Sequence, residues 1–151
     1  MVSPTVLKGP KGQRFFFNLD GNVGPNSVNK VEDVQLVQMG YFAMGKAAAT
    51  PPDLKAAASK VVPGAAYSGG ATDPLTLAIK AHEASRGGTQ DGHVSTLHLG
   101  TNAVYDGVHT FMLTALENNI LDLMPNDYPR IDKHPTCPGA LKAAVKRVLL
   151  G

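Results

Sequence analysis

Apolar positions recur at helical spacing in five stretches of this chain. In NKVEDVQLVQMGYFAMG (residues 29–45), Val31, Val34, Val37 and Tyr41 form one stripe that Leu36 and Met39 widen. Asn29 is placed to cap this helix, with Glu32 at the spacing of a reciprocal capping box, and Gly40 or Gly45 can end it. ATPPDLKAAASKVVPG (49–64) predicts a short helix from about Pro52 to the stop at Pro63-Gly64. Its alanines bury little, which suits a surface position. In DPLTLAIKAHEAS (73–85) Asp73 caps, Pro74 fills the first turn, and Leu75, Ala78, Ile79 and His82 share a face that ends at Gly87-Gly88.

A fourth, longest helix is expected over residues 104–124. Val108, Phe111 and Ala115 form one stripe, and Leu113, Leu116, Ile120, Leu123 and Met124 another. Apolar cover around so much of the circumference predicts a central buried helix, stopped by Pro125. A last helix opens at Pro138 and buries Leu141, Ala144, Val145, Val148 and Leu149, with Lys142, Lys146 and Arg147 outside. The best strand candidate is RFFFNL (14–19), three aromatics in a row preceded by an irregular arm over 1–13 and closed by the turn former DGN. Three adjacent phenylalanines cannot all face one way, so either both faces are covered or one ring is exposed. TQDGHVSTLHLGT (89–101) reads as a turn followed by a short extended piece. The expected fold class is mainly α: one compact domain over 1–151, about five helices, a central buried helix and long Gly/Pro-rich loops.

Composition refines this picture. The 16 glycines and 11 prolines among 151 residues account for the long connections. A net charge of +2, with basic residues dispersed, does not suit nucleic acid. The cluster Lys142, Lys146, Arg147 is explained by the negative end of its helix dipole. No stretch approaches the roughly 20 apolar residues that cross a bilayer, so no membrane insertion is expected. The amino-terminal residues lack the pattern of a secretory signal. The protein is therefore expected to be soluble and cytoplasmic as encoded, with a signal-independent export route compatible. One cysteine, Cys137, excludes an internal disulfide and a thiolate zinc cluster.

Catalytic patterns are sparse. Among the five histidines no pair has metallohydrolase spacing. His93 and His98 lie near Asp91, but the loose spacing favours loop histidines over metal ligands. Neither a metal nor another cofactor is expected. Cys137, three residues after His134, reads as a buried thiol rather than a nucleophile. Glu83 and Asp91 could form a glycosidase pair if their separation allowed it, but Glu83 reads more simply as part of a solvated helix face. GNVGPN (21–26) lacks the Lys-Ser or Lys-Thr of a phosphate loop and reads as a turn leading to Asn29. Phe111 is assigned to the core. Tyr41 and Phe42 are adjacent at a helix end, where one is expected buried and the other free for a ligand.

The succession VEDVQLVQMGYF, DPLTLAIKAHEAS and TQDGHVS resembles the small three-helix peptidoglycan-binding domain family. Gln35, Leu36, Gly40 and Tyr41 match its first helix, Pro74, Thr76, Ala78 and Ile79 its second, and Asp91, Gly92 and Val94 the turn into its short third helix. The lead-in NVGPNSVNKVEDVQLVQ is similar to versions of this module carried by bacterial secretion-associated proteins. Residues 45–72 exceed the family's connection, and His82-Glu83 replaces its usual aromatic-glutamine close. The resemblance implies a peptidoglycan-binding-like portion over 24–100 and a helical extension over 101–151 packed on it. It also implies a non-catalytic module in which Tyr41, Phe42, Asp91 and His93 lie near a shallow groove and contact cell-wall glycan. The alternative is a structural or adaptor protein that docks another protein in a secretion or phage-like assembly, through an apolar patch built from RFFF or the last helix.

Overall fold

The structure, a computed structural model, describes residues 2–9, 12–98 and 111–151. It is mainly α. Strands β1 (Ser3–Gly9) and β2 (Gly12–Asn18) precede helices α1 (Val31–Lys46), α2 (Pro52–Ala58), α3 (Pro74–Ser85), α4 (Met112–Leu123) and α5 (Gly139–Leu150). A 3₁₀ turn, Ile131–Lys133, lies between the last two helices. The expected irregular arm is instead the first strand of an antiparallel hairpin, in register from Ser3–Asn18 to Gly9–Gly12. Polar and small residues hid it, because a strand whose partner supplies the apolar side chains need not look apolar itself.

The three phenylalanines are accommodated by covering both faces. Phe16 and Phe17 are fully buried on opposite sides, and Phe15 stacks edge-on against Phe17 with ring centroids 4.9 Å apart. Arg14 reaches over the Phe16 ring at 5.2 Å and donates to the Asn118 side chain. The hairpin is fastened to α4 by Glu117, whose Oε1 accepts the Phe17 amide at 2.6 Å. The Tyr128 hydroxyl lies 3.1 Å from both that oxygen and the Phe15 carbonyl. Complete burial raises the Glu117 pKa well above its ordinary value, against the lowering effect of the Phe17 and Tyr128 hydrogen bonds.

Helix α1 is the element on which α2, α4 and α5 pack. This differs from the expected central helix over 104–124. Of that span, Met112–Leu123 is α4, with Leu113, Leu116 and Ile120 buried, and residues 104–110 lie outside the described residues. Phe111, assigned to the core, stands at the start of α4 and is half exposed. Nor do Gly40 or Gly45 end α1, which runs through both. A Cβ on Gly40 would meet the Leu116 Cβ at 2.6 Å, so this glycine permits the close approach of α1 and α4.

The predicted caps divide. Asp73 accepts the Leu75 amide at 2.9 Å and caps α3 as its sequence suggests. Asn29 does not cap α1, which starts after Lys30 without a side-chain cap. Other α1 side chains organise distant segments. Gln38 clasps the Gly64 amide and the Ala65 carbonyl, both at 2.9 Å, and Gln35 accepts the Leu141 amide at the start of α5. One apolar cluster joins Val2, and Phe17 of β2, to Val37, Leu54, Ile79, Leu116 and Val145 of helices α1 to α5. Among the described residues no helix is long and apolar enough to cross a membrane.

Candidate functional site

Two turns that the sequence presents separately meet in space. The first spans residues 20–30 and is held from both sides. Asp33, in the first turn of α1, accepts the Asp20 amide and, at 3.0 Å, the Gly21 amide. Asn29 sits at φ +53° and turns its side chain inward. Its Oδ1 accepts the Gly24 amide and its Nδ2 donates to the Gly24 carbonyl, both at 2.8 Å. That inward clasp is why Asn29 is lost as a helix cap. Lys30 pairs with Asp20 at the rim.

The second turn is Asp91-Gly92, with Gly92 at φ +78°, the left-handed conformation expected of the Asp-Gly pair. Its amide donates to Glu83 Oε1 at 2.7 Å, which ties the turn to the last turn of α3. An isolated bridge joins the two turns: Val23 N–H donates to Val94 O at 3.0 Å and Val94 N–H to Val23 O at 2.8 Å. Gly24 makes the contact possible, since a Cβ there would lie 2.4 Å from the Gly92 carbonyl oxygen and 2.5 Å from the His93 ring. Asn22 Oδ1 accepts the Thr96 amide, and Asn18 exchanges two hydrogen bonds with the Leu97 backbone. After Val94, residues 95–98 carry no regular element, and the rest of the expected third family helix lies outside the described residues.

Between the turns lies an open groove of about 450 Å³ lined by Asn22, Pro25, Asn26, Ser27, Val28, Asp91 and His93. His93 Nε2 is 2.6 Å from the Pro25 carbonyl oxygen, and Asp91 Oδ1 accepts the His93 amide at 2.9 Å. Glu83 lies behind Asp91 and is buried, contrary to the solvated face expected for it. The two carboxyl groups share a hydrogen bond. Burial and that contact raise Glu83, while the contact with Glu83 lowers Asp91. Of the two, Glu83 is therefore the one that takes up a proton more readily and Asp91 the one that stays charged.

The four residues expected at a groove are divided by the structure. Asp91 and His93 line it together. Tyr41 does not: it is fully buried in the middle of α1, its hydroxyl 3.0 Å from His82 Nδ1 on α3. Burial raises the Tyr41 pKa well above its ordinary value and pushes His82 down to about 4. Phe42 belongs to a separate small cavity of about 90 Å³ with Gly45, Lys46, Ala58, Ser59 and Val61. There its ring meets Lys46 at 5.1 Å and the His134 ring edge-on at 5.8 Å. Asn22, Asn26 and Ser27 were missed as lining residues. Their only local signal was that a turn rich in Asn, Gly and Ser offers polar groups on a rigid loop.

The other candidates are occupied with structural tasks. Cys137 is buried, which raises its thiol to about 11. His134 Nδ1 accepts the Thr136 amide, and His98 Nε2 is 2.8 Å from the Thr96 hydroxyl. Among the described residues no three His, Cys, Asp or Glu side chains converge as a metal site. The RFFF segment is largely interior, so it does not form the exposed patch considered for a docking surface. Compared with models of protein families, with curated proteins and with solved structures, the chain matches none of them.

Proposed function

We propose that this chain is a non-catalytic binding module whose Asp91–His93 groove recognises bacterial cell-wall peptidoglycan. One observation carries the reading: a 450 Å³ groove in which polar side chains and the rings of Pro25 and His93 stand on two turns already locked by hydrogen bonds. A preorganised, half-polar concavity of this size suits a glycan or a short peptide, because little ordering entropy is lost on binding. Catalysis fits the same residues poorly. Glu83 and Asp91 are in hydrogen-bond contact, whereas glycosidase carboxyls stand about 5–9.5 Å apart to admit a sugar carbon or a water. A thiol held near 11 is likewise a poor nucleophile at neutral pH.

Purified peptidoglycan sacculi provide the test. Co-sedimentation of the full chain is expected, with binding by Asp91→Ala reduced at least tenfold while its helical circular dichroism is unchanged. Wild-type protein left wholly in the supernatant overturns the reading.

A second reading, docking of another protein, draws on Val28 and Val31, which stay 65% and 61% exposed at the groove and the adjoining start of α1. It predicts a concentration-dependent rise in mass by light scattering, alone or with a secretion or phage-like component, that a Val28→Ser, Val31→Ser double variant abolishes.

A further inference from the structure

Resting on the groove just proposed as a binding site, we infer that its Asp91–His93 corner receives a primary ammonium group carried on a short flexible chain. The step from geometry to ligand is a count of hydrogens. His93 Nε2 lies 2.6 Å from the Pro25 carbonyl oxygen, and a carbonyl can only accept, so Nε2 carries the ring proton. In the neutral imidazole Nδ1 is then a bare lone pair. Facing it at 3.6 Å is Asp91 Oδ2, a second acceptor. With the ring in that single-proton form no hydrogen stands between them, whereas a doubly protonated ring would pair with Asp91 directly.

Neither acceptor is free to swing away. Asp91 is fixed through Oδ1 by the His93 amide and from behind by the Glu83 carboxyl. The His93 ring is fixed by Pro25. Both nevertheless reach solvent, with side chains 35% and 53% exposed for His93 and Asp91. Two rigid acceptors converging on an open groove call for a donor with at least two hydrogens. A nitrogen about 2.9 Å from each would see them roughly 75–80° apart, within hydrogen-bond tolerance of the tetrahedral N–H directions of an ammonium.

Charge selects among such donors. Asp91 is held below its ordinary carboxylate value by its contacts with Glu83 and His93, and none of the seven groove-lining residues is a lysine or arginine. Lys30, at the rim, is already paired with Asp20, and the Lys80 side chain runs alongside Gly92 with its Cε near that backbone. A neutral amide would match the acceptors but leave the Asp91 charge unanswered. The planar fork of a guanidinium suits two oxygens of one carboxylate better than acceptors 3.6 Å apart on different side chains. The groove's apolar residues, Pro25 and Val28, can hold the methylenes behind an ammonium. In peptidoglycan the matching group is the free side-chain amine of a diamino acid in the stem peptide.

The experiment is an NMR titration of the full chain with Nα-acetyl-lysine amide at pH 8, where the amine stays charged and an ordinary imidazole is neutral. The Nε-acetylated compound serves as control. The expected result is a saturable shift at the Gly92 and His93 amides and the His93 ring. The control should bind at least tenfold more weakly, and Asp91→Asn should lose the difference between the two compounds. His93→Gln, which keeps a donor for Pro25 and removes the Nδ1 acceptor, should weaken binding in the same way. Equal shifts with both compounds, or none with either, overturn the inference whatever the sacculi show. Lysine-amide binding without sacculus binding upholds the ammonium site and removes the cell-wall reading. Sacculus binding that survives acetylation of the wall's amines keeps that reading and overturns the ammonium site within it.

Discussion

His82 on α3 combines burial, a fixed partner and a titratable ring. It is 5% exposed, shares a hydrogen bond with Tyr41, and is pushed down to about 4 by burial and, secondarily, by Arg86. The folded protein thus holds a neutral imidazole, whereas the unfolded chain protonates it near its ordinary 6.5. The unfolded state binds more protons between those values. The contribution of His82 is therefore fully present above about 6.5 and is lost as pH falls towards 4, by roughly 3 kcal/mol at most. Urea unfolding of wild type and His82→Gln across pH 4–8 should show the wild type falling relative to the variant as the medium acidifies. A difference that stays flat with pH refutes the assignment. The burial of Tyr41 was legible once its helix was allowed to continue: Val34, Val37 and Tyr41 fall on one stripe, and the stripe faces the core. Reading Gly40 as a stop placed Tyr41 at a free helix end and so at a ligand.

The same glycine decides how two elements meet. Alanine has the higher helix propensity by about 1 kcal/mol, so a helix considered alone would gain from Gly40→Ala. Here the new methyl would lie 2.6 Å from the Cβ and 3.0 Å from a Cδ of Leu116, a side chain itself buried in the core. Overpacking of this kind costs about 1–3 kcal/mol, which cancels or exceeds the propensity gain. Gly40→Ala is expected to lower the urea midpoint, and Gly40→Ala with Leu116→Ala to recover part of that loss relative to the sum of the single changes. Strict additivity in the double-mutant cycle would show that α1 and α4 do not touch there. Elements defined by local chemistry were legible from sequence. The Asp73-Pro74 start of α3, the Pro52 start of α2 and the amphipathic α5 all emerged from caps and spacing. What escaped depended on partners: β1 has its apolar support across the hairpin, and Asn29, locally an adequate cap, gains two short hydrogen bonds by turning towards Gly24 instead.

At the scale of the whole molecule the groove joins walls that belong to different parts of the fold. Asp33 anchors the wall over 20–30 to α1 while Asn29 braces that wall internally, Glu83 anchors the Asp91-Gly92 wall to α3, and the Tyr41–His82 hydrogen bond links those helices. Neither turn could announce the other, because the Val23–Val94 bridge spans some seventy residues of chain and depends on backbone groups that every residue carries. Half the site was consequently legible, through the Asp-Gly-His turn, and half was not. Gly24 tests this account, because it is the point where the walls come closest. At φ +145° it occupies backbone that a side chain rarely adopts, and a methyl there would drive into the Gly92 carbonyl and the His93 ring. Gly24→Ala should force the turns apart, break the Val23–Val94 bridge and free His93 from Pro25, while the helices and the rest of the core cluster remain. The expected signature is unchanged helical circular dichroism, faster amide exchange at Val23 and Val94, and at least a tenfold loss of groove binding. If Val23 and Val94 kept wild-type protection and ligand bound as before, the two turns would not be joined through Gly24, and the groove would have to be assigned to one wall alone.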